Sequence, residues 1–168
     1  MGLPWDADQV KLRPLVPADY ASVLALNATA DGLVDPLGLD RLDWLRLIAA
    51  HAVVVEDDGR PIGFVLTFTP GSAYDGLEYG WFTTNYADQF LFVDRIVIDA
   101  DRRRQGVAST VYRAIERAAQ PFARVVTRVR SDLADTSGLA FHTARGYTQV
   151  GTRPNPSGGT MALLVKEL

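Results

Sequence analysis

Six consecutive residues, Arg103-Arg104-Gln105-Gly106-Val107-Ala108, set two guanidiniums, a glycine and a small residue just ahead of a helical pattern. At a helix start several backbone N–H groups lack internal acceptors and the dipole is positive, so such a turn can hold a diphosphate. Gly106 admits close backbone approach, and Ala108 with Ser109 keeps the first turn uncrowded. A solvated helix start would have the same composition, so the meaning of the turn rests on what flanks it. Two side chains can move protons. Asp94 lies in the apolar string QFLFVDRIVI, where strict alternation puts Phe92, Asp94, Ile96 and Ile98 on one face. It reads either as a general base or as the cross-strand partner of Arg95, Arg128 or Arg130. Glu78 and Asp75, upstream, are alternative bases. His142, in the string LAFHTARGY, is the second.

Tyr74, Tyr79, Trp81, Phe82 and Tyr86 crowd the same stretch as Asp75, Glu78 and Asp88. Aromatic faces beside carboxylates suit an amine cation. They suit equally the anchoring of a loop or a homodimer contact. The other histidine, His51, stands at a helix end before a strand, where a backbone contact accounts for it, and it is assigned no function.

Composition removes several classes of chemistry. The 168 residues contain no cysteine, which excludes disulfides, thiolate nucleophiles and Cys-containing metal sites. No metal is expected. A net charge of −3 argues against a general nucleic-acid partner, which needs a surplus of basic residues on one face. The first residues have no charged region followed by an apolar run, and no stretch is long and apolar enough for a membrane span, so a cytoplasmic protein is expected. Neither Gly-x-x-x-x-Gly-Lys-Ser/Thr nor Gly-x-Gly-x-x-Gly occurs, which weakens ATP and NAD readings.

The elements that must position these groups follow from periodicity. Residues 10–16 alternate as a strand, and 18–28 show helical spacing at Tyr20, Val23, Leu24 and Asn27. Asp40 is the expected N-cap of a second helix carrying Leu42, Leu45 and Ile48. Residues 52–56 and 62–68 flank Asp58-Gly59, a strong hairpin signal. The aperiodic stretch 70–88 is expected to be a loop over a binding site. Residues 89–98 form the next strand, 99–103 a polar turn, and Val107, Val111, Ile115 and Ala118 one helical face. Strand 124–130, helix 135–144 stopped by Gly146, and strands beginning at Tyr147 and Thr160 complete one domain, 1–168. The fold class is α+β, a single mixed, mostly antiparallel sheet of about seven strands with helices on both faces.

In this context the turn resembles the signature of the GNAT acetyltransferase superfamily, Gln/Arg-x-x-Gly-x-Gly/Ala after the fourth strand, matched by Arg103, Gly106 and Ala108. The resemblance covers nearly the whole chain. A second family pattern, Asn-x-x-Ala-x-x-x-Tyr-x-x-x-Gly, falls on Asp135, Gly138, His142 and Gly146, where only the last keeps its identity. The strings FLFVDRIVI and LAFHTARGY also look like a branch of predicted acetyltransferases with His in place of the usual Tyr. The resemblance implies acetyl-CoA as co-substrate, its diphosphate on 103–109 and its pantetheine paired with the backbone of Ile96, Val97 and Ile98. It implies attack of a primary amine, that of a small molecule, on the thioester through a tetrahedral intermediate. Asp94 would be the base and His142 the proton donor to the departing thiolate. Asp135 would contact the coenzyme or cap its helix, and Glu78, Tyr79, Trp81 and Phe82 would line the acceptor site. At pH 7 an unperturbed imidazole, pKa ~6.5, is only about one-quarter protonated, so His142 would impose an alkaline limb on activity. Alternatively His142 packs its helix, and the three altered identities mark an inactive acyl-CoA-binding regulatory module.

Overall fold

The computed structural model describes residues 10–168; the first part of the N-terminal stretch weighed above as a targeting segment, residues 1–9, lies outside them. The elements are β1 (Lys11–Pro14), α1 (Tyr20–Thr29), α2 (Leu39–Ile48), β2 (His51–Asp57), β3 (Arg60–Phe68), α3 (Leu77–Tyr86), β4 (Leu91–Ile98), α4 (Val107–Ala118), β5 (Arg124–Arg130), α5 (Ser137–Ala144), β6 (Thr148–Pro154) and β7 (Thr160–Glu167). The strands form one open sheet in the order β1-β2-β3-β4-β5-β7-β6. Every neighbouring pair is antiparallel except β4–β5. This is the α+β architecture expected, built among the described residues from five α-helices and seven strands.

Apolar alternation buries both faces of the sheet. On one, Leu91, Val93 and Val125 pack against Val107, Val111 and Ile115 of α4. On the other, Phe64, Leu66 and Phe92 pack against Val23 of α1, Leu42 and Leu45 of α2, and Phe82 of α3. The β2–β3 hairpin closes through Asp58 and Gly59, both at positive φ, the backbone form this two-residue turn requires.

Three expectations are corrected. The stretch 70–88 is not an irregular loop, because α3 occupies Leu77–Tyr86. Tyr79, Phe82 and Tyr86 recur at helical spacing and stack on Phe90 or on one another, which overrides the poor helix propensity of Gly80, Thr83, Thr84 and Asn85. The second helix starts from Gly38, not Asp40, since Leu42 N–H bonds the Gly38 carbonyl and Asp40 lies within the first turn. Finally, β4 does not alternate strictly. Arg95 pairs with Leu66 and Val93 with Thr67, leaving Asp94 as an extra residue. This β-bulge reverses the alternation. Phe92 and Val97 therefore lie in the core beside α1–α3, whereas Ile96 and Ile98 lie with α4 and do not share the face of Phe92 and Asp94.

Candidate active site

The sheet opens in its middle. β4 pairs with β3 as far as Ile98, but with β5 only at Leu91↔Val125, Phe92↔Val126 and Val93↔Thr127. β5 keeps its pairing with β7 through Arg130. Beyond Val93 the two strands diverge, so among the described residues the β5-facing edge of Ile96, Val97 and Ile98 has no strand beside it. A wedge results, with its apex at Asp94 and Arg128.

The basic turn follows directly at the open end of β4. Arg104 and Gly106 both take positive φ, 62° and 81°, the backbone form that gathers successive N–H groups into an anion-binding concavity. Thr110 N–H makes the first bond of α4, to the Gly106 carbonyl, so the amides of Val107, Ala108 and Ser109 precede the helix's own ladder. Val107 is buried and anchors the helix, while Arg103, Arg104, Gln105 and Gly106 are exposed. Gln105 donates to the Asp101 carbonyl at 3.0 Å, and Arg103 Nε reaches the Ile98 carbonyl at 3.5 Å, tying turn to strand. Arg102 instead pairs with Asp57. Asp135 is exposed and is not itself the N-cap of α5, which is Thr136; its carboxylate accepts from Ser137 N–H at 2.9 Å. That bond, with the nearby charges of Arg104 and Arg103, holds its carboxyl below the usual range.

On the α1–α3 side of the apex lies a buried ionic network. Asp94 accepts from Tyr74 Oη, from Arg95 Nε at 2.7 Å and from Arg128 at 3.1 Å. Burial alone would raise its pKa, but the guanidiniums of Arg95 and Arg128, with the Tyr74 hydrogen bond, outweigh burial and hold the carboxyl well below the usual range. A carboxylate so neutralised is a weak base, and the ion-pair reading of Asp94 describes its surroundings. Arg95 also donates to Asn27 Oδ1 at 3.0 Å and to the Asp35 carbonyl at 2.9 Å. Arg128 lies 3.6 Å from Glu78 and 3.5 Å from Asp35.

Of the four residues expected to line the acceptor site, Glu78 alone faces this network. Its side chain is 7% exposed and, among the described residues, makes no hydrogen bond, only the ion pair with Arg128. Tyr79 is a core residue whose hydroxyl donates to the Thr69 carbonyl and accepts from Ser72 N–H. Phe82 is fully buried, and Trp81 packs over Gly151 of β6. The helical phase of α3 separates them, because Glu78 and Phe82 sit on the inner side while Trp81 projects towards β6. Asp75 is paired with Arg41 at the surface. A depression lined by Leu24, Ala28, Val34, Pro36 and Leu37 opens beside α1, with Asn27 in its wall.

On the opposite side of the apex His142 is buried. Its Nδ1 lies 2.7 Å from the Gly138 carbonyl, which can only accept, so Nδ1 carries a proton. Its Nε2 lies 2.6 Å from Tyr112 Oη. Tyr112 also meets Thr127, whose hydroxyl donates to the Val93 carbonyl, the last rung of the β4–β5 pairing. Burial lowers the His142 pKa and Arg145 lowers it further, against the opposing pull of Gly138 and Glu116. With both nitrogens engaged and the neutral form favoured, the imidazole is poorly disposed to donate a proton at neutral pH. Tyr112 lay outside the apolar helical face of Val107, Val111, Ile115 and Ala118 and carried no sequence signal. Arg128 was visible only as a partner of Asp94, since nothing in the chain shows where β5 leaves β4.

Among the described residues no group of three or more His, Cys, Asp or Glu is arranged to hold a metal ion, and no helix is long and apolar enough to cross a membrane. The profile of the acetyltransferase (GNAT) family matches residues 24–147. No curated protein matches the chain in sequence. Among solved structures, Ard1 from Thermoplasma volcanium is 16% identical with a TM-score of 0.76, covering 95% of this chain and 98% of its own. A GNAT family acetyltransferase from Elizabethkingia anophelis, solved with acetyl-CoA bound, is 15% identical with a TM-score of 0.66, covering 96% and 100%. A GCN5-related N-acetyltransferase from Kribbella flavida is 17% identical with a TM-score of 0.68, covering 96% and 99%. At these identities the likeness concerns the fold.

Proposed function

The chain belongs to the GNAT family of acetyltransferases, and from that premise we propose that it is a single-domain, cytoplasmic N-acetyltransferase that moves the acetyl group of acetyl-CoA to the primary amine of a small molecule. The observation that carries this reading is the meeting, at one end of β4, of an unpaired strand edge with a positive-φ turn of free amides. The backbone of Ile96, Val97 and Ile98 is left to pair with an extended pantetheine arm in the manner of an added strand. The amides of Val107, Ala108 and Ser109, with Arg103 and Arg104, take the diphosphate. From Ile98 back to Asp94 is about 13 Å of strand, which carries the thioester to the apex.

At the apex the acceptor ammonium, with a pKa near ~10, must lose a proton before it attacks. Glu78 is the group suited to take it, being buried, free of hydrogen bonds among the described residues, and adjacent to Arg128. The amine nitrogen then bonds to the thioester carbon as the carbonyl pair moves onto oxygen; when that pair returns the carbon–sulfur bond breaks, and the second proton lost from nitrogen passes to the departing sulfur, leaving an amide and the CoA thiol. Asp94 fixes Arg95 and Arg128 in place instead of acting as the base. His142 orients the Tyr112 hydroxyl beside the last β4–β5 rung. Thiol release from acetyl-CoA, measured over a panel of primary amines and paired with calorimetry of acetyl-CoA binding, tests the proposal. Saturable binding with release dependent on amine is expected. Binding without release from any amine would make the chain an acyl-CoA-binding module, and absence of binding would remove the reading altogether.

A further inference from the structure

Resting on the acetyl-transfer reading, we infer that the acceptor is a primary amine with no carboxylate beside its amino group, so that decarboxylated amines are substrates and the corresponding α-amino acids are rejected. The inference comes from the occupancy of the arginines at the acceptor side of the wedge. A guanidinium holds a substrate carboxylate most strongly when it can offer two uncommitted parallel donors. Arg95 gives Nε to Asp94 and one of its two terminal nitrogens, Nη1, to Asn27 and the Asp35 backbone, which breaks up each pair of parallel donors. Arg128 bonds both the carboxylate and the carbonyl of Asp94 and faces Asp35 and Glu78 besides. Arg130 grips Asp132 through two nitrogens, at 2.9 and 3.2 Å, and the Gly32 carbonyl through the third.

These three guanidiniums are outnumbered by the four carboxylates of Asp35, Glu78, Asp94 and Asp132. This cluster therefore carries one formal negative charge in excess, a field that draws an ammonium and repels a second anion. The depression beside α1 offers the anion no refuge, being mainly aliphatic with Asp31 as its one charged lining residue. Asp35 and Asp132, 38% and 36% exposed in their side chains, are the solvent-facing carboxylates of this group, and of the two Asp35 is the one that faces Arg128 at the apex.

Matched acceptors test this directly: 2-phenylethylamine against phenylalanine, tyramine against tyrosine, and putrescine against ornithine, each followed by thiol release from acetyl-CoA in the wild-type protein. The amine lacking the carboxylate is expected to be preferred by at least about tenfold in kcat/KM, with the difference shrinking as salt is added. In Asp35→Asn the preference should narrow several-fold, whatever the variant does to the absolute rate. Equal or better turnover of the amino acids, or a preference unmoved by Asp35→Asn, would overturn the inference while leaving acetyl transfer intact. Failure of every acceptor in the presence of bound acetyl-CoA would instead overturn the transfer reading itself, and this inference with it.

Discussion

Asp94 and Glu78 face the same guanidinium, yet their surroundings differ enough to separate their roles. Asp94 is enclosed and paired on both oxygens, whereas Glu78 is enclosed with one ion pair at 3.6 Å. Glu78→Gln keeps the size of the side chain and removes its basicity. It should lower kcat by about a hundredfold or more while leaving acetyl-CoA affinity unchanged, as steady-state kinetics beside calorimetry would read. Asp94→Asn leaves the buried Arg95 without its carboxylate partner and Arg128 with one fewer, so its expected signature is a loss of about 3–5 kcal/mol in urea unfolding. Both carboxylates were candidates from the sequence alone. Choosing between them required the bulge, because strict alternation puts Asp94 with Ile96 and Ile98, while the extra residue turns those two towards α4.

Among the elements, the strand-turn-helix unit β4-turn-α4 was the most legible, since its cues are local: an apolar run, a polar turn holding glycine, and one apolar helical face. The hairpin through Asp58 and Gly59 was legible for the same reason. α3 was not, because its anchoring is tertiary. Tyr79 and Phe82 acquire meaning only when Phe90 and Phe92 of the neighbouring strand lie beneath them. The turn itself makes a sharp prediction. Gly106 sits at φ 81° with no heavy atom within 4 Å of where a Cβ would stand, so the obstacle to a side chain there is backbone conformation and not crowding. Gly106→Val should therefore fold, redirect the first amides of α4 and weaken acetyl-CoA binding by about tenfold or more in calorimetry, the β-branched residue being poorly tolerated at positive φ.

At the scale of the whole molecule, pH sets stability through buried imidazoles. Burial lowers the pKa of His142, and likewise that of His51, whose Nδ1 lies 2.8 Å from Thr67 Oγ1. A histidine depressed in the folded state contributes stability that is complete above its unfolded pKa, ~6.5, and is lost as pH falls towards the folded value. The thermal midpoint should thus drop between pH 7 and 5, ahead of any loss from the paired carboxylates, and should drop less in His142→Gln, where one of the two imidazoles is gone. The overall architecture was readable from element order, whereas the wedge was not, since the sequences of β4 and β5 hold no mark of where their pairing ends. That short pairing has a mechanical consequence. Among the described residues three rungs are all that join the β1–β4 half of the sheet to the β5–β7 half by main-chain bonds, so bending is concentrated in one seam, and an occupant of the gap can alter the sheet's curvature without costing any other strand a hydrogen bond.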